Sequence, residues 1–109
     1  MLLSINDVGG EIVKDNETYL LKDNKFLRDL VLSSTQLHIG QSTRGHTHPG
    51  QEEVYYFVSG SGEMEIDGCK FVVSPGKVAL IPDGAFHRVF NTGNEDLYFV
   101  CVFNGGRNH

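Results

Sequence analysis

No stretch of this chain repeats apolar residues at the three- and four-residue spacing that one helix face requires. Short runs rich in Val, Ile, Leu, Tyr and Phe are instead cut by Gly, Pro, Asn and Asp. Strands joined by tight turns can bury such a pattern and a helix cannot, so an all-β chain is expected. The runs place strands at roughly Glu11–Lys14, Thr18–Lys22, Leu30–Ile39, Thr43–His48 and Glu53–Ser59. Further strands follow at Gly62–Ile66, Cys69–Val73, Lys77–Ile81, His87–Asn91 and Leu97–Phe103. Asp67-Gly68 reads as a two-residue hairpin turn. Ser74-Pro75-Gly76 and Pro82-Asp83-Gly84 read as Pro/Gly turns. The tail from Asn104 to His109 carries no pattern and is expected to fray.

With 109 residues the chain can bury one modest core, so residues 1–109 are read as a single domain. The net charge of -5 and the scatter of the nine Lys and Arg residues argue against nucleic acid and anionic membranes as partners. No apolar run is long enough to cross a bilayer, and the start lacks the basic residues of a secretory signal, so a cytoplasmic location is expected. Cys69 and Cys101 are read as two free thiols. The Glu53–Val58 run is apolar on both faces, as Leu97–Phe103 nearly is. Two buried faces in so small a chain imply a cover for one of them, either a second subunit, making a homodimer, or folded-over N-terminal residues.

The chemistry concentrates between Gly40 and Asn91. His46 and His48 are two apart, so on one extended strand both project to the same side. Glu53 lies beyond the Pro49-Gly50 turn, where it can fold back opposite them, while Glu52 should face away. The Pro82-Asp83-Gly84 turn delivers His87 onto another strand, as a possible third imidazole. Three imidazoles and a carboxylate suit one divalent metal ion: Zn, Mn, Fe, Ni or Co. Four protein ligands leave two positions open in an octahedral site, the condition for a reactive metal.

Two segments carry a resemblance. Gly40, five residues, His46-Thr47-His48, four residues, Glu53, six residues and Gly60 form the first. Gly76, five residues, Pro82-Asp83-Gly84, two residues, His87, three residues and Asn91 form the second. Together they resemble the two motifs of the cupin superfamily, with every spacing kept. The resemblance implies a double-stranded β-helix (jelly-roll) cupin barrel, with His46, His48, Glu53 and His87 as ligands of one metal ion. It favours Glu53 over Glu52, because only Glu53 keeps the six-residue gap to Gly60. His38 and His109 are read as structural or exposed, and Asn91 as a turn residue.

Strand parity extends the site. If Glu53 and His87 face inward, so do Tyr55, Phe57, Val89 and Asn91, giving an apolar cup with a small-molecule ligand as partner. Gln51 and Tyr55 are the candidates for catalytic contact. Arg44 shares that face only if its strand runs unbroken through Gly45, and Arg88 is expected outside. The resemblance implies an isomerase or epimerase acting on a chelating sugar or oxyacid. A metal-dependent dioxygenase and a non-catalytic metabolite- or metal-binding sensor module are the alternatives. With no basic cluster visible near the ligands, a phosphorylated substrate is disfavoured.

Overall fold

A computed structural model of the chain describes residues 1–105, which leaves His109 outside the described residues. Among the described residues every regular element is a strand. In chain order they are β1 Glu11–Asp15, β2 Tyr19–Asn24, β3 Leu30–Leu37, β4 Glu53–Ser59 and β5 Gly62–Ile66. β6 Cys69–Val73, β7 Val78–Ile81, β8 His87–Phe90 and β9 Leu97–Asn104 complete them. They form a six-stranded sheet, β1-β2-β3-β9-β4-β7, and a three-stranded sheet, β6-β5-β8. Every pairing is antiparallel. The fold is the jelly roll that the sequence implies.

The turns explain the connections. Asp67 and Gly68 both take positive φ, 47° and 82°, as a twist-matched two-residue hairpin requires. At Gly60, with φ 84°, a Cβ would also stand 2.5 Å from the Asp96 carbonyl oxygen, so only glycine fits. Core residues come from both sheets: Leu37, Phe57, Met64 and Leu97 are fully buried. Cross-strand partners carry one inner row over five strands, Asp23, Ser33, Cys101, Tyr55 and Ala79, all buried.

The expected strand at Thr43–His48 is a correction. This segment touches the small sheet only through isolated bridges, Ser42 to Phe90 and His46 to His87. Between them, side chains occupy the places a ladder would use. Val89 N–H donates to Thr43 Oγ1 at 2.9 Å, and Arg88 Nε donates to the Thr43 carbonyl at 2.9 Å. At Gly45 the backbone passes so close to Phe86 that a Cβ would overlap its ring.

Of the two expected covers of the outer sheet face, the N-terminal one is seen in part. The N-terminal segment lies over part of it: Tyr98 O–H donates to the Ile5 carbonyl at 3.0 Å, and Asn24 Nδ2 donates to the Val8 carbonyl at 3.3 Å. On β4 and β7, however, Val54, Tyr56, Val78 and Leu80 remain 40–71% exposed. Cys69 and Cys101 are not joined in a disulfide, as expected. Among the described residues no helix is long and apolar enough to cross a membrane.

Candidate metal centre

The three histidines converge. Ring centroids of His46 and His48 are 4.2 Å apart, His46 and His87 4.7 Å, and His48 and His87 5.7 Å. One ring nitrogen from each lies within 4.8 Å of the others. Their approach is set by different devices. His87 sits at the start of β8, where a pair of backbone hydrogen bonds locks it to His46. His48 is placed by the loop after it. Gly50 N–H donates to Asp83 Oδ1 at 2.7 Å, which ties the Pro49-Gly50 turn to the Pro82-Asp83-Gly84 turn.

Glu53, the first residue of β4, enters beside His87. Its Oε2 is 2.6 Å from His87 Nε2, with both side chains almost fully buried. Glu52 is exposed, as alternation requires. Burial pushes the Glu53 carboxyl up; the contact with His87 and the positive potential of His87, His48 and His46 outweigh it and hold the group below the usual carboxylate range. For His87, burial acts downward and is outweighed by the Glu53 contact and the Ala85 carbonyl, so its pKa is raised.

Two rings have their outer nitrogen fixed by backbone. His46 Nδ1 lies 3.0 Å from the Arg44 carbonyl, and His87 Nδ1 lies 3.0 Å from the Ala85 carbonyl. A carbonyl can only accept, so Nδ1 carries the proton and Nε2 presents its lone pair in the neutral ring. For His87 that lone pair faces a carboxylate oxygen at 2.6 Å. Neither of these buried atoms makes a hydrogen bond of ordinary geometry. Two acceptors held this close require a positive centre beside them, a proton or a cation. The nitrogen and oxygen donors suit a first-row divalent ion, so the residues fit such a metal.

The other expected residues separate. Tyr55 lines the adjoining cavity, stacked on Phe99 with centroids 5.4 Å apart and edge-on to His87 at 5.8 Å. Gln51 does not line it: its Nε2 donates to the Asn104 carbonyl at 2.8 Å and anchors the loop to β9. Asn91 Nδ2 donates to the Leu37 and Glu95 carbonyls, and its Oδ1 accepts from Gly93 N–H, so it clasps a turn as expected. His38 contacts Asp96 at 3.3 Å, away from the centre. The cavity holds about 560 Å³ and is less apolar than parity implied, since Ser33, Thr35 and Arg44 line it with His46 and Glu53. Arg88, expected outside, does share a side with Phe90, its guanidinium 4.8 Å from the ring centroid. It nevertheless lines the cavity where it meets Ser42 and Thr43. Ser33 and Thr35 had a readable signal, polar residues between Val31 and Leu37 on one face of β3.

Comparison with known proteins agrees with this fold. The family model for the cupin domain matches residues 34–103. The chain is 30% identical over 94 residues to an oxalate-binding protein of Thermotoga maritima, covering 86% of this chain and 78% of that one. It is 29% identical over 116 aligned positions to a glucose-6-phosphate isomerase of Thermococcus kodakarensis, covering 91% of this chain but only 61% of that relative's length. Among solved structures, an uncharacterized Klebsiella pneumoniae protein with a double-stranded β-helix domain superposes with a TM-score of 0.81 at 23% identity, covering 99% and 92% of the two chains. That likeness concerns the fold.

Proposed function

This chain belongs to the cupin domain family, and from that premise we propose that it is a metal-dependent enzyme acting on a small, oxygen-rich metabolite, of the sugar or oxyacid isomerase or epimerase type. His46, His48, His87 and Glu53 would hold one divalent ion. The observation that carries this reading is the convergence of three ring nitrogens within 4.8 Å, two of the rings oriented by backbone carbonyls, at the wall of a cavity of about 560 Å³. When bound, such an ion supplies Lewis-acid polarisation of a substrate oxygen.

The chain's own residues supply the rest. The Arg44 and Ala85 carbonyls fix which nitrogen of each ring faces inward. The stacked Tyr55 and Phe99 rings form a rigid wall against which a ligand can be oriented. One relative is named glucose-6-phosphate isomerase and another oxalate-binding protein, and both names denote small oxygenated ligands. The second name also supports a non-catalytic binding module as the other reading. The exposed apolar side chains of β4 and β7 support a homodimer in solution, which light scattering would resolve.

The test is to load the protein with Zn, Mn or Fe and follow aldoses, ketoses, their phosphates, hydroxy acids and oxalate by NMR in deuterated water. Deuterium uptake or interconversion of one of these is expected. Binding without conversion would favour the binding module, and turnover that stops under argon would favour a dioxygenase.

A further inference from the structure

We propose that the cavity beside the histidines contains a cationic subsite, formed by Lys14, Arg44 and Arg88, that receives an anionic group of the ligand, a carboxylate or a phosphate. The inference rests on the metal-centre reading above and adds the substrate class: a small acid whose charged end lies away from its chelating oxygens.

The chain as a whole is acidic, with a net charge of -5. The cavity reverses that balance. Lys14, Arg44 and Arg88 line it, and Glu53, already in contact with His87, is its one acidic lining residue among those described. No carboxylate among the described residues forms a salt bridge with any of the three cations. Cations gathered in a concave site without a protein counter-ion favour an anion there.

Each cation arrives by its own route, which is why sequence spacing hid the cluster. Lys14 depends on an irregularity in β1. Glu11 pairs with Asp23 and Ile12 with Lys22, but the register then shifts, and Lys14 rather than Val13 stands opposite Leu21. Cross-strand partners share a face, and Leu21 is a buried, cavity-lining residue. Simple alternation from Glu11 would send Lys14 to the opposite side; the bulge re-aims it toward the cavity. All of β1 is exposed, so packing offers no other reason for this orientation. Arg88 is held in advance, with Nε on the Thr43 carbonyl, Nη2 3.1 Å from Ser42 Oγ, and Phe90 beneath. Arg44 is exposed on the same wall, and its carbonyl orients His46.

The experiment titrates the zinc-loaded full chain with inorganic phosphate, succinate and uncharged xylose by calorimetry, alongside Lys14→Gln, Arg44→Gln and the double variant. Arg88 stays intact, because it also holds Ser42 and Thr43. Each single variant is expected to weaken anion binding by about 10-fold, as befits the loss of one charge-assisted contact, and the double variant by more. Xylose binding should not change, nor should zinc affinity, because Arg44 meets His46 through its backbone carbonyl, which Arg44→Gln keeps. A phosphate-only effect would place the charged end as a phosphoryl group, and a succinate-only effect as a carboxylate; either supports the subsite. Anion affinity that survives in the double variant would overturn it. So would an equal loss for xylose, or zinc loss in step with anion loss, since the cations would then be shaping the cavity or the metal centre. The metal reading fails separately, on zinc retention by His48→Ala, a readout that the Lys14 and Arg44 side chains do not enter.

Discussion

The dry base of the barrel and its histidine-lined mouth are built from the same strands by opposite means. At the base, Leu37, Phe57, Met64 and Leu97 are fully buried between the two antiparallel sheets. At the mouth, residues 40–48 touch the small sheet through isolated bridges, and side chains of Thr43, Arg88 and Asp83 add hydrogen bonds to the few backbone ones. The base buries apolar surface, the favourable term of folding. The mouth buries a carboxylate against imidazoles, an arrangement whose desolvation opposes its own attraction. A mouth of this kind is tolerable because the base beneath it supplies the stability. Strand β4 joins the two regions, with Glu53 at the mouth and Phe57 in the core on one inward face.

That contrast breaks if substitutions at the two ends have mixed effects. The largest effect is expected from Phe57→Ala, which should remove about 3–5 kcal/mol of stability by leaving a cavity among rigid neighbours. Denaturant unfolding would measure it, and zinc affinity of the folded fraction should stay near wild type. Next, His48→Ala and Glu53→Gln should each weaken zinc binding by more than about 100-fold, beyond the 10–100-fold loss usual for residues that only support a ligand. Glu52→Gln, on the exposed side, should change nothing. Competition with a chromophoric chelator reads all three, and equal losses at Glu52 and Glu53 would contradict the observed register.

The two regions also differed in how far the sequence disclosed them. The base was legible because period-2 alternation fixes which side chains share a face. Tyr55, Phe57, Val89 and Asn91 therefore fell inward as expected. His46, His48 and His87 were legible too, through their spacing to the turns. What parity could not reach was whatever left the regular ladder. The Thr43–His48 segment lost its ladder to side-chain hydrogen bonds. Gln51, in a loop, was drawn to Asn104 rather than to the cavity. Lys14 faces inward by a register shift that no residue spacing announces. Arg88 obeyed its parity and still reached the cavity rim, because a long side chain on an edge strand is not confined to one face.

A smaller effect sharpens the comparison inside the mouth. Asp83 touches no histidine in these contacts, yet it accepts from Gly50 N–H and so holds the loop that carries His48. Asp83→Ala should weaken zinc binding by about 10-fold, at the lower end for a supporting residue, while leaving denaturant stability within about 1 kcal/mol of wild type. Recovery of zinc affinity in Asp83→Asn, which keeps an acceptor oxygen, would assign the effect to that hydrogen bond. Failure of Asn to recover it would assign the effect to charge.

The smallest expected effect is a pH dependence that separates the metal-free mouth from the loaded one. In the metal-free protein Glu53 lies below its ordinary value of 4.5, so its stabilisation is complete above that pH and is lost as pH falls through the lowered value. His87 lies above its ordinary 6.5, so its stabilisation is complete below that pH and is lost as pH rises through the raised value. Both contributions are whole only between pH 4.5 and 6.5, and the chelator-treated protein should melt highest there, relative to Glu53→Gln. A cation held by His87 would take the place of its proton, so the loaded protein should instead gain on the metal-free one as pH rises past 6.5. Melting curves with and without zinc across that range should therefore diverge upward. Parallel curves would mean that the cation and the proton do not compete for the same nitrogen, and the mouth would then be an ion pair like any other buried one.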